Sequence, residues 1–381
     1  KMYADTKQLL SELEVDINPR ALMTSLTVAK LQLVEIVKAI SYNSDIIIMD
    51  EPTSALSTHE IEHLLKIIRK LRDAQKSIIF ISHKMNEIFT ICDSVTILRD
   101  GKLIHACSIK DITERELIRM MVDREVDELY PKQESSIGDV LLEVKNISCK
   151  NAFCDVSFAL RKGEILGFAG LMGAGRTELM EALVGLRAID TGEVYLKGKK
   201  IINKTPTDAI NRRMVIVPED RKRNGVILRM NVKNNILLSS LKKSMKWGML
   251  VKCVEEECAN KYVSMLQIKL MSLGVQCATL SGGNQQKVAV GRALNADPEI
   301  IILDEPTRGI DVKTKAEIHR LMSELACSGK SIIMVSSEIP EIIGMSDRVV
   351  VLHEGTITGV LDRENLSPES IMRLAVGSEG D

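Results

Sequence analysis

Four aliphatic residues, Ile300–Leu303, run directly into Asp304 and Glu305. Such a short unbroken apolar run reads as a strand buried on both faces of a parallel sheet. Strand tips in doubly wound sheets are where ligands bind. One carboxylate there suits a magnesium shell, and its neighbour suits orienting a water for attack on a phosphate. Upstream, Leu280-Ser281-Gly282-Gly283-Asn284 opens an amphipathic helix that continues through about Leu294. Gly282 and Gly283 let the backbone approach an anion, and the helix behind them turns its positive end the same way. A second glycine-rich stretch, Gly170-Leu-Met-Gly173-Ala174-Gly175-Arg176-Thr177, fits the phosphate-loop pattern GxxxxGK[ST] except that Arg176 stands for Lys. Its amides can turn onto phosphate oxygens, and Thr177 can place its hydroxyl on magnesium. Arg176 can hold phosphate too, but as a planar fork rather than a point charge.

The elements that must position these groups occur twice. Asp304 lies 254 residues beyond Asp50, and the same offset relates Leu280 to Leu26, Asp347 to Asp93 and Gly355 to Gly101. IIIMDEPTSAL and IIILDEPTRGI therefore align without a gap. In the first copy the apolar periodicity predicts helices over residues 1–15, 27–40 and 60–74, and strands at 46–49, 77–81 and 95–98. Residues 112–130 read as a helix of mixed charge, and Pro131–Asp139 as a linker. The second copy opens with strands at 140–144 and 164–168, the latter feeding the phosphate loop. The first copy contains no such loop. With its start inside a helix and no Met at position 1, the chain is expected to be a piece of a longer protein.

Bulk properties narrow the function. A formal net charge of −1 gives no electrostatic case for nucleic acid or an anionic membrane surface. No apolar run approaches the roughly 18 residues needed to span a bilayer. The eight cysteines show neither a CxxC pair nor a Cys/His cluster, which reads as reduced thiols rather than a disulfide or metal framework.

LSGGN followed by IIILDEP resembles the signature loop and acidic strand of ATP-binding cassette (ABC) proteins. GLMGAGRTE, PEDRKRNG, LSGGNQQKVA, DEPTRGID and SSEIPEI together resemble bacterial simple-sugar import ATPases of the ribose and galactose/methyl galactoside type. The resemblance covers essentially the whole chain. It implies an α/β fold of tandem ABC-type P-loop cassettes, each a RecA-like core plus a helical subdomain, with the first incomplete. The expected domains are the latter part of cassette 1 at 1–113, a connecting helix and linker at 114–139, and cassette 2 at 140–381.

The resemblance further implies ATP and Mg2+ as cofactors, membrane permease subunits as partners, and an extracytoplasmic sugar-binding protein as an indirect one. It implies no nucleic acid, pairing of the halves in cis, and a peripheral place on the cytoplasmic membrane face. Residue by residue, Asp50, Asp304 and Thr177 are implied metal ligands. Glu51, His83 and Glu305 are implied catalytic groups. The loop residues Gly170, Gly173, Ala174, Gly175, Arg176 and Thr177 contact ATP, as do Glu219, Leu280, Ser281, Gly282, Gly283, Asn284 and Ser337. Asp311 matches the family's D-loop aspartate, where the first copy has Ser57. Residues 230–279, with Trp247, correspond to the helical subdomain.

Departures from the family fall in a pattern. The first copy keeps Asp50, Glu51 and His83 but has Thr27-Val28-Ala29-Lys30 in place of Ser-Gly-Gly-Asn. Val28, being β-branched, resists φ > 0. The second copy keeps the signature but has Arg176, Glu219 where the family has Gln, and Ser337 where it has His. Since each family site joins one copy's acidic strand to the other's signature, the defects gather in one site. This predicts one working and one regulatory or structural ATP site. Two other classes remain open here: a non-catalytic binding fragment, and a tandem cassette acting on ribosomes or DNA.

Overall fold

A computed structural model describes residues 2–377 apart from 14, 54, 55, 57, 83, 100, 115, 118, 119, 121–129, 172, 247 and 248. The side chains of 12, 28, 29, 58, 59, 99, 242–246 and 249–250 are also outside the description. His83, Ser57 and Trp247 and most of the expected helix at 112–130 therefore lie outside the described residues. The chain forms two compact units, Lys1–Val126 and Asp127–Asp381.

Unit 1 runs α1 (Met2–Glu12), α2 (Val28–Ser41), β1 (Ile46–Asp50), α3 (Thr58–Asp73), β2 (Ser77–Ile81), α4 (Met85–Ile91), β3 (Ser94–Arg99) and β4 (Lys102–Ser108). β1 pairs in parallel with β2, and β3 with β4 as an antiparallel hairpin. The hairpin return at β4 is absent from the sequence reading. Ile47 and Met49, on one face of β1, pack with Ile36 of α2 and Leu64, Leu65 and Ile68 of α3. The other face carries Ile46, Ile48, Ile79 and Ile81, all exposed.

Unit 2 begins with β5 (Val140–Cys149), β6 (Phe153–Arg161), β7 (Ile165–Gly170), α5 (Arg176–Leu183), β8 (Thr191–Leu196), β9 (Lys199–Ile201), α6 (Pro206–Asn211) and β10 (Met214–Val217). A mostly helical stretch follows: α7 (Val232–Leu237), a short hairpin of β11 (Met245–Lys246) and β12 (Met249–Leu250), and α8 (Lys252–Met265). The unit closes with α9 (Gly282–Asn295), β13 (Ile300–Asp304), α10 (Val312–Cys327), β14 (Ser331–Val335), α11 (Ile339–Met345), β15 (Arg348–His353), β16 (Thr356–Asp362) and α12 (Pro368–Ala375).

Among the described residues the main sheet has strand order β10-β13-β14-β7-β15-β16, parallel except for the final antiparallel pair. One of its faces packs under the antiparallel sheet β6-β5-β8-β9 and α5, through Ile300, Ile302, Leu142, Phe168 and Leu179. The other face packs on helices, Ile301 and Leu303 meeting Val288 of α9 and Met322 of α10. The antiparallel sheet is a departure from the sequence reading, which gives β5 half its length and omits β6, β8 and β9. Their irregular registers and left-handed residues Asn146 and Asn151 interrupt the alternation that signals a strand.

Seven elements of unit 1 recur in unit 2 at the 254-residue offset with unchanged bounds: α2, β1, α3, β2, α4, β3 and β4 return as α9, β13, α10, β14, α11, β15 and β16. Left-handed backbone recurs as well, at Glu51 and Glu305 with φ 47° in each. The stretch read as a linker is pinned to unit 2. Lys132 pairs with Asp347 at 2.7 Å, the Gln133 amide donates to Ser323 Oγ at 2.7 Å, and Ser135 Oγ donates to the Gly163 carbonyl at 2.7 Å.

Candidate nucleotide site

β7 is buried along almost all its length, and its C-terminal end turns into the glycine loop with left-handed Gly173 and Gly175. Gly175 is the N-cap of α5 at φ 88°, and a Cβ there would lie 2.6 Å from the Ala152 carbonyl oxygen. No other residue type fits that turn, which leaves the first amides of α5 unpaired and open to an anion. Ala174 is buried at the loop's crest, its amide bonded to Leu171 O.

β13 delivers Asp304 and Glu305 as expected. Asp304 is 1% exposed, and neither of its carboxylate oxygens has a hydrogen-bond partner among the described residues. Burial pushes its carboxyl up to about 6, with the nearby Thr177 hydroxyl and Arg176 guanidinium pulling the other way. A carboxylate buried without a partner is costly unless a cation joins it. One carboxylate, one hydroxyl and substrate phosphate oxygens form the oxygen set that Mg2+ prefers. The residues therefore fit a magnesium–nucleotide, with Asp304 and Thr177 holding the metal and the loop amides holding phosphate.

Glu305 follows the strand in left-handed backbone, where its amide donates to the Val335 carbonyl at 2.9 Å. Burial raises its carboxyl to about 7, although Arg176 opposes the shift. Ser337 Oγ donates to Glu305 Oε2 at 3.2 Å. Arg176 is buried, its Nη1 donating to the Ser336 carbonyl at 2.7 Å and its Nη2 lying 3.8 Å from Glu305 Oε1.

The signature residues corrected one expectation. Gly282 and Gly283 lie in helical backbone within α9, with φ negative at both, so a left-handed conformation is not what requires glycine there. At Gly283 close approach does, since a Cβ there would lie 2.8 Å from Oγ1 and 2.9 Å from Cγ2 of the short Thr314 side chain, whereas at Gly282 it would meet the end of the Arg221 side chain, 2.8 Å from Nη2, which can swing aside. In unit 1, Thr27 caps α2 by accepting from the Lys30 amide at 3.3 Å, while Ser281 makes no such cap and leaves the first turn of α9 unfilled. Asn284 braces this end, accepting from the Lys269 amide at 2.9 Å and donating to Ser281 Oγ at 3.0 Å. Leu280 packs against the helical core. Glu219 forms an ion pair with Arg308, and Asp311 caps α10 through the Thr314 amide at 3.0 Å.

In unit 1, Asp50 is exposed at the tip of β1 and Glu51 follows it in left-handed backbone, its amide donating to Ile81 O at 2.9 Å. Asp50 and Glu51 thus stand at the tip of β1 as Asp304 and Glu305 stand at the tip of β13.

Sequence reasoning missed a buried network beneath the site. Glu341 accepts from Thr307 Oγ1 at 2.9 Å and from Ser336 Oγ, and it pairs with His319 Nε2 at 2.7 Å. Burial alone would raise the Glu341 carboxyl, but the bonds from His319, Ser336 and Thr307 hold it below the usual range. Unit 1 repeats the motif one offset earlier: Glu87 accepts from Thr53 Oγ1 at 2.8 Å and Ser82 Oγ at 3.0 Å. The offset that aligns the acidic strands also aligns these three residue types, so the signal was present in the sequence.

A glycine loop, a buried metal-ready aspartate and a neighbouring glutamate at parallel strand tips define a P-loop nucleotide-binding cassette. An ABC transporter family model matches residues 153–308. A nucleotide-free ATP-binding cassette from an ABC transporter superposes with a TM-score of 0.54 at 22% identity, covering 64% of this chain and 100% of its own. An ADP-bound cassette of an ABC transporter gives 0.53 at 23%, covering 63% and 99%. At these identities the likeness speaks for the fold. A ribose/galactose/methyl galactoside import ATP-binding protein of Geobacillus kaustophilus is 49% identical over 377 residues, 99% of this chain and 75% of the relative. A galactose/methyl galactoside import ATP-binding protein of Photobacterium profundum is 46% identical over 378 residues, 98% and 76%. The chain belongs to the ABC transporter family, among its ribose/galactose/methyl galactoside import ATP-binding proteins.

Proposed function

We propose that this chain is an ATP-hydrolysing subunit that powers import of a simple sugar, of the ribose or galactose/methyl galactoside class, through membrane permease subunits. It works with ATP and Mg2+ at the cytoplasmic face of the membrane, and a sugar-binding protein delivers the cargo to the permease. The observation that carries the nucleotide chemistry is Asp304, buried with both oxygens unpartnered beside Thr177 at the foot of the glycine loop. The relatives' names carry the cargo class. No described helix is long and apolar enough to cross a membrane.

The finer reading is that residues 1–113 and 140–381 are two cassettes that pair in cis, with 114–139 between them, and that their sites are unequal. Elements repeating at one offset support the duplication. In the sound site Asp50 would hold magnesium, Glu51 would orient water and His83 would grip the terminal phosphate, facing Leu280–Asn284. The other joins Arg176, Glu219, Glu305 and Ser337 to the degraded signature at Thr27–Lys30, and its role is regulatory or structural.

A second reading has one observation in its favour. Residues 1–126 contain no glycine-rich phosphate loop, so the 381-residue chain alone would bind nucleotide at Gly170–Thr177 without turning it over. Two measurements test the proposal. Uptake of ribose, galactose and methyl galactoside is compared in cells with and without the gene, and loss of none of them overturns the cargo class. Mg2+-nucleotide binding by the chain is expected to weaken at least about tenfold in Asp304→Asn, since a charged ligand is lost; unchanged affinity removes Asp304 from the metal site.

A further inference from the structure

The sheet order β13-β14-β7 sets the distances at the site. The glycine loop grows from β7, Ser336 ends β14, and Glu305 ends β13, so Glu305 stands two strand spacings from the loop, roughly 10 Å. Arg176 spans that distance. From the first turn of α5 it crosses the tip of β14, bonds the Ser336 carbonyl at 2.7 Å, and brings Nη2 to 3.8 Å from Glu305 Oε1. Ser336 is itself held, its hydroxyl bonded to the buried Glu341. The far side of Glu305 is closed by Ser337 Oγ at 3.2 Å. Both side chains of the Arg176–Glu305 pair are 9% exposed.

In a phosphate loop the backbone amides cradle the inner phosphates, and the metal joins the threonine, the acidic-strand aspartate and the outer phosphates. A third phosphate must therefore enter the volume bounded by Asp304, Glu305 and Ser337. The Arg176 guanidinium already lies there. A diphosphate can sit on the amides while Arg176 keeps both partners. A triphosphate must draw the guanidinium off Ser336 O and Glu305, leaving a buried carboxylate beside a new negative charge with only the Ser337 hydroxyl to hold it. A lysine at the same position is a compact ammonium on a shorter stem, able to stay on phosphate without bridging to Ser336.

We infer that Arg176 is a specificity-determining residue that makes the unit 2 site prefer a nucleoside diphosphate to the triphosphate. This rests on the reading of Gly170–Thr177 as a nucleotide loop, and it assigns the regulatory site a ligand class: the product of hydrolysis rather than its substrate.

The test is calorimetric titration of the full 381-residue chain with Mg2+-ADP and with Mg2+ and the β,γ-imido analogue of ATP. ADP is expected to bind at least about tenfold more tightly, the scale of losing one charge-assisted hydrogen bond. Arg176→Lys is expected to bring the two affinities within about threefold of each other, and the wild-type ratio stands as a readout that needs no variant. Equal affinities in the wild type, or tighter binding of the triphosphate analogue through a fork on its last phosphate, would overturn the inference while leaving the nucleotide loop intact. An unchanged preference in Arg176→Lys would overturn the role of Arg176. Absence of binding by either nucleotide would overturn the loop reading and the inference together.

Discussion

IIIMD at 46–50 and IIILD at 300–304 form the same strand of the same repeat, yet they occupy different environments. In unit 2 every residue of the strand is buried, whereas in unit 1 burial alternates. Ile302 is 0% exposed and its counterpart Ile48 is 65% exposed. The difference comes from what lies over the sheet. In unit 2 the even-numbered face meets the antiparallel sheet β6-β5-β8-β9 and α5, the helix that follows the phosphate loop. Unit 1 has the counterparts of α9, β13 and the β15–β16 hairpin but, among its described residues, no such cover. An unbroken apolar run predicts burial on both faces, and it states what the strand needs rather than what the chain supplies.

The comparison can be broken most severely at the two glutamates. In a protein where a phosphate loop completes the Asp50 site, Glu51→Gln is expected to lower ATP turnover about 10²–10⁴-fold, the range for a lost general base. Glu305→Gln should lower it less than about threefold. Steady-state phosphate release decides, and equal losses would end the idea of unequal sites. The next largest contrast is packing. Ile302→Ala should destabilise unit 2 by about 2–5 kcal/mol, while Ile48→Ala should cost under about 0.5 kcal/mol. Hydrogen exchange of the β13 and β1 amides reads each unit separately; similar costs would mean that the open face of β1 is covered in solution.

Glu341→Gln should follow at about 2–4 kcal/mol, because it strands His319 and loosens Ser336 and Thr307. Glu87→Gln, whose partners are two hydroxyls and Lys84, should cost about 1–2 kcal/mol. A larger loss at Glu87 would reverse the assignment of the stronger network to unit 2. The smallest effect is on pH. Asp304 ionises in the folded unit at about 6, against an ordinary 3.8, so folding without metal holds a proton that the unfolded chain releases. Its penalty is absent below about pH 4 and complete above about pH 6. Asp304→Asn should therefore raise the metal-free Tm by about 2–6 °C at pH 8 and by nothing at pH 4. A Tm gain independent of pH would place its cause outside the carboxylate.

Much of this was legible in the letters. The helix after Gly282, the strand ending at Asp304 and the offset all appear with bounds that differ from the structure by a residue or two. What was not legible depends on pairing between distant segments. β6 and β8 are recognisable only beside β5, and the pinning of 132–138 depends on Asp347, Ser323 and Gly163, none of them near in sequence. The role of the two glycines was half legible: close approach of an anion to their backbone is what the letters suggest, while the crowding of Gly283 by the Thr314 side chain belongs to the fold. Likewise Arg176 was visible as a departure, while its hold on Ser336 belongs to the strand order.

Glu51 and Glu305 share a backbone angle of 47°, one that glycine and asparagine adopt with ease and a glutamate does not. A residue at ease with that angle would relax the turn at either position, but at Glu305 it would also leave the buried Arg176 guanidinium and the Ser337 hydroxyl without their carboxylate. On the proposed function, a glutamate at that angle in both repeats is strained backbone kept at a candidate site.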